Sequence, residues 1–155
     1  MAIETTYDLS QDTIHALQEL IQVNVDSRDN LRYAAEKTED MNISGLFLRV
    51  AEEREAQADE LGRFVTLNAE TPKREGSFYA SFQRTMLAAR EALSSNNAYA
   101  VLAEAERCED QIKAAYERQL KKHPGTAVND VLNAQYARIL TSHDHVRDLR
   151  DSYKE

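Results

Sequence analysis

The 155-residue chain has one cysteine, no tryptophan, two prolines and four glycines. A lone Cys108 excludes an intrachain disulfide and any multi-cysteine metal site. The scarcity of Gly and Pro removes the punctuation that closely spaced strands and hairpins need. Positive charge is also short: 19 Lys and Arg face 27 Asp and Glu, a net charge of -8. Phosphate binding needs a basic face, so a nucleic-acid groove is not expected. No apolar run approaches the roughly 20 residues of a membrane span, and Met1 to Ser10 has neither the basic start nor the apolar centre of a leader. The expectation is a cytoplasmic protein with neither nucleic acid nor membrane as partner.

What the chain does have is Ala, Leu, Glu, Arg and Gln in abundance, the composition of straight helices. Its breakers cluster at Pro72 and Gly76, at Ser94 to Asn97, and at His123, Pro124 and Gly125, with a softer polar turn at Asp40 to Ser44. Between them apolar residues recur at three and four positions, so each segment buries one stripe. The pattern predicts helices over about 10–40, 44–68, 77–93, 98–121 and 126–153 of one domain, 1–155. Ser10 is a suitable N-cap for the first. Four of the five are long and similar in length, which predicts an all-α four-helix bundle. In that bundle two antiparallel hairpins are joined by a long crossover containing the short helix. A five-helix array is the rival.

Each long stripe is interrupted near its middle. Asn24 and Arg28 follow Ile21; Glu53 or Arg54, and then Gln57, follow Val50; Glu109 lies seven residues from both Leu102 and Tyr116, with Glu106 beside it; Gln135 and His143 flank Ile139. Stacked by helix direction, they form two layers. One holds Asn24, Gln57 and Glu109 near Ile139, the other Arg28, Glu53, Arg54, Glu106 and His143. Isolated buried charge is costly, so these groups must pair, hold a metal or meet water.

The chain resembles the ferritin-like superfamily. Within it, the chain is most similar to a bacterial family known only as a domain of unknown function. The resemblance rests on Leu20-Ile21 through Ala34-Ala35-Glu36, on Arg54 with Glu60-Leu61, and on Glu106-Arg107-Cys108-Glu109-Asp110 followed by Tyr116. It extends to Gln135, His143-Asp144 and Val146 to Arg150, and runs from roughly Leu17 to Asp151. Where that family favours glycine between Arg107 and Glu109, this chain has Cys108. The resemblance implies crossover-linked hairpins and mid-bundle carboxylates and histidines. Di-iron members use Glu-x-x-His motifs, and this chain has none.

Two readings of the polar layers follow. In one, Glu53, Glu106, Glu109 and His143 form a degenerate site for iron or manganese, or for zinc. In the other, Arg28 and Arg54 engage the carboxylates as an ion-pair network that includes Asn24, Gln57 and Gln135, and their charge repels a cation. The network is preferred. His143 has no nucleophile or oxyanion cradle beside it, so no catalytic residue is assigned; Cys108 and the tyrosines are read as packing. The expected function is that of a non-enzymatic bundle acting through self-association or a protein partner, in a stress setting that the superfamily suggests. Phe78, Tyr79 and Phe82 on the crossover helix are the expected contact patch. A metal-dependent oxidase or metal store is the alternative.

Overall fold

The computed structural model describes residues 4–74, 91, 94, 97–122 and 126–154. Four long helices carry the fold: α1 (Gln11–Lys37), α2 (Met41–Leu67), α3 (Ala98–Lys122) and α4 (Asn129–Ser152). The short helix expected over 77–93, with Phe78, Tyr79 and Phe82, falls outside the described residues apart from Glu91.

Local chemistry sets the ends. Ser10 Oγ accepts the Thr13 N–H at 3.1 Å and starts α1. The first turn is three residues, Thr38 to Asp40, rather than the expected Asp40 to Ser44. The reason is Asp40, whose Oδ1 takes the N–H groups of Asn42 (2.9 Å) and Ile43 (3.1 Å) and so begins α2 at Met41. Asn97 Oδ1 caps α3 through the Ala100 N–H at 3.0 Å. α4 begins at Asn129 instead of Thr126, after a turn closed by the Asn129 N–H on the Thr126 carbonyl. α2 ends in a paired closure: Ala69 N–H bonds Thr66 O, and Glu70 N–H bonds Val65 O. This closure forces Ala69 to φ 60.

α1 and α2 form one antiparallel hairpin, α3 and α4 the other. α1 packs on α3 through Asn30 with Cys108, Asn24 with Tyr116 and Gln119 with Glu19, a falling register that makes this pair antiparallel. α2 and α3 are therefore parallel. The link between them runs from Asn68, held at the end where Leu9 sits, to Ala98, at the end where Tyr153 meets Asp40. Its first residues already turn back along the first hairpin. Gln18 anchors Thr71 and Lys73, Arg74 pairs with Asp59 and Glu55, and Pro72 lies 3.3 Å from where a Cβ on Gly62 would be.

The apolar core falls into two clusters. One, around Leu17, Ile21, Leu61, Ile112 and Ile139, fills the end near the N-terminus; the other, around Ile43, Phe47, Val50, Leu102 and Val146, fills the opposite end. Each such fully buried side chain is worth about 1.5–3 kcal/mol. Between the clusters lies a polar belt.

Candidate functional site

The belt arises because the buried stripes of α2, α3 and α4 switch from apolar to polar at one height. On α2, Arg54 and Gln57 stand between Ala51 and Ala58; on α3, Glu109 stands between Ala105 and Ile112; on α4, Ser142 stands between Ile139 and Val146. Arg54 and Glu109 are both 0 % exposed and form an ion pair through Nη2 and Oε2. Ser142 Oγ accepts from Arg54 Nη2 at 2.7 Å and donates to Glu109 Oε2 at 2.9 Å. Arg54 Nη1 reaches Gln57 Oε1 at 3.2 Å. Among the described residues, Arg54 Nε and Glu109 Oε1 have no hydrogen-bond partner. Taking two charges out of water costs several kcal/mol per ion, so the pair is stable only because each end supports the other.

A second chain of bonds crosses the bundle beside it. Asn24 Nδ2 donates to Tyr116 Oη at 2.8 Å, Tyr116 Oη donates to Gln135 Oε1 at 2.6 Å, and Gln135 Nε2 donates to Glu60 Oε1 at 2.7 Å. Gln57 and Gln135 also exchange side-chain to backbone bonds at 3.4 and 3.3 Å. Four helices are thereby tied at fixed register. Burial pushes the Tyr116 hydroxyl well above its ordinary range, so it stays protonated and keeps donating.

The predicted layers are redrawn by these contacts. Asn24 meets Tyr116 rather than Glu109, and Glu109 moves to the layer of Arg54. Arg28 is not in the belt; its guanidinium lies at the α1–α2 rim on Glu55 and Asp29. Glu53 is half-buried, and burial pushes its carboxyl up, with Glu109 adding to the effect against Arg54, Arg138 and His145. His143 is turned away from the core, because the stripe of α4 steps from Ile139 to Ser142 and then Val146. Both spacings, three and four, are helical neighbours, and the sequence pattern alone does not choose between them.

The four proposed ligands therefore divide. Glu106 and His143 come together on the outer face of α3 and α4, where His143 Nε2 is 3.7 Å from Glu106 Oε1 and 2.7 Å from Asp110 Oδ1. Among the described residues, Glu53 and Glu109 do not join this group. Tyr116, Ser142, Glu60 and Asp110 were missed as polar partners. Tyr116 and Asp110 carried a signal, being seven residues from Glu109 and one turn from Glu106.

Cys108 is buried, with Asn30 Nδ2 donating to its Sγ at 3.6 Å. Burial first, then Glu109 and Glu104, push the thiol up to about 12.

The fold and belt define an all-α four-helix bundle with a hydrogen-bonded polar centre. Residues 12–122 match the family described as a domain of unknown function (DUF2383), and the chain belongs to that family. Comparison with the curated proteins finds no match. Among the described residues no helix is long and apolar enough to cross a membrane.

Proposed function

We propose that this protein is a non-enzymatic, ferritin-like bundle that works by contact with protein, a second copy of itself in the first instance. The observation that carries the reading is the pairing of Arg54 with Glu109. A mid-bundle metal centre needs carboxylates turned toward a cation, and here the central carboxylate, Glu109, is turned toward the Arg54 guanidinium. Most of the remaining belt groups are amides and hydroxyls bonded to one another, and the Glu60 carboxylate is engaged by Gln135 Nε2. The core residues therefore do not fit an iron or manganese centre, which weighs against the oxidase or metal-store alternative.

Contact with a second copy is supported by one stripe of α2. Met41 (86 % exposed) and Leu48 (48 %) share a face with Gly45, and among the described residues nothing lies within 4 Å of a would-be Cβ there. An exposed apolar stripe with no side chain at its centre admits another helix closely. The stress setting suggested by the superfamily belongs to the same proposal. Light-scattering mass tests it: the wild type is expected above its 17.6 kDa monomer mass, and Leu48→Asp is expected to return it to monomer. A wild-type monomer at tens of micromolar removes self-association.

A further inference from the structure

Glu106 and Asp110 lie one helical turn apart on α3, so both carboxylates face the same side, and His143 crosses from α4 to meet them. One ligand atom from each lies within 4.8 Å of the other two. His143 and Glu106 side chains are 14 % and 15 % exposed, and Asp110 is 54 % exposed, so the group is walled on two sides and open to water on the third.

The outer atoms of the group are already assigned. Arg150 holds Glu106 Oε2, which leaves Oε1 turned to the imidazole. His143 Nδ1 is 3.4 Å from Asp144 Oδ1, and Asp144 is itself held by Arg147 at 3.1 Å. With Nδ1 beside a carboxylate, the ring can offer its Nε2 lone pair to a metal, the arrangement common to histidine ligands. Nε2 thus faces two carboxylate oxygens, and either a proton on that nitrogen or a cation held among the three groups satisfies them.

We propose that Glu106, Asp110 and His143 bind a first-row divalent transition-metal ion of the Zn(II) type. Metal–nitrogen and metal–oxygen bonds of about 2.0–2.2 Å put tetrahedral donors roughly 3.4 Å apart. The observed 2.7 and 3.7 Å separations fall on either side of that value. A small outward swing of the exposed Asp110 and a smaller closure of Glu106 complete the site. The imidazole selects such ions over Mg(II) and Ca(II), which take oxygen ligands. Three protein donors leave the fourth position to water on the open side. Arg150 adds positive charge nearby and keeps the affinity modest.

This site is separate from the buried belt and does not depend on the proposal of self-association. The test uses the full chain, freed of metal, titrated with Co(II) followed by visible absorption and with Zn(II) followed by calorimetry. One equivalent is expected, with Mg(II) giving no response. His143→Gln and the conservative, solvent-facing Asp110→Asn should each weaken Zn(II) binding more than about 10-fold, and Asp144→Asn by about 10-fold. Circular dichroism confirms that each variant stays folded. Three results overturn the proposal: no Co(II) band and no Zn(II) heat; unchanged affinity in folded His143→Gln, which would put the ion elsewhere, as at His15 and Glu19; or His143 ring resonances that titrate with pH but do not move with Zn(II), the signature of an imidazolium held by two carboxylates alone.

Discussion

Arg54 on α2 and Glu109 on α3 meet where neither side chain is reached by solvent, and Ser142 on α4 bonds to both. The pair sits between the two apolar clusters, so it joins helices from different hairpins at the point where hydrophobic packing is interrupted. It links one height of the first hairpin to one height of the second. Removing one partner strands the other charge in the core, a loss of about 3–5 kcal/mol. Glu109→Leu and Arg54→Met are each expected to lose that much in urea denaturation. The double variant Arg54→Met/Glu109→Leu should recover most of it, because no unpaired charge remains. Additive losses in that cycle would mean that the pairing carries no coupling.

Cys108 is expected to be inert in the folded protein. Burial and two neighbouring carboxylates push its thiol to about 12, so the reactive thiolate is scarce at neutral pH. An aromatic disulfide reagent at about pH 7.5 should label the native chain no faster than it unfolds, and label it at once in 6 M guanidinium. Rapid native labelling would show that the thiol is reached without unfolding.

The helices were readable because apolar residues recur at helical spacing in each long segment, although α1 goes further and buries every residue from Leu20 to Val25, and the family because its residues run from α1 through α3. The belt was readable only in part. Arg54, Gln57, Glu109, Asn24 and Gln135 break their stripes conspicuously, and all five are buried. Partner choice was another matter. A shift from the third to the fourth residue turns a side chain by about 100° on a helix, enough to exchange Ser142 for His143 at the core. Arg28 was misplaced for a related reason: its long side chain starts near the stripe but ends at the rim, where Glu55 offers a partner in water. Asp110 looked like one more solvated acid until α4 brought His143 to it.

Glu53 gives a pH dependence of known sign. Its folded-state carboxyl lies above the ordinary value because burial, with Glu109 adding to it, disfavours the charged form. A raised carboxyl favours the fold at pH below the unfolded value of about 4.3. That contribution is lost as pH rises through the folded value. At neutral pH the charge on Glu53 is therefore a burden. Glu53→Gln should raise Tm at pH 7 and change it little at pH 4, a difference that thermal melts at the two pH values would show. Equal shifts at both would assign the effect to packing instead.

Ala69 closes α2 in a conformation that favours glycine. Its φ of 60 is set by the bonds from Ala69 N–H to Thr66 O and from Glu70 N–H to Val65 O, which end the helix and turn the chain toward Pro72. Placing a Cβ in the left-handed region costs about 1–2 kcal/mol. Glycine there also gives the unfolded chain more freedom, which takes back about 0.4–1 kcal/mol. Ala69→Gly should thus stabilise the protein by about 0.5–1 kcal/mol. Ala69→Val should destabilise it by more than that, since a β-branched side chain tolerates the left-handed region least. Chemical denaturation of the three proteins in parallel checks both signs. If glycine and valine shift the midpoint alike, the turn does not hold Ala69 left-handed.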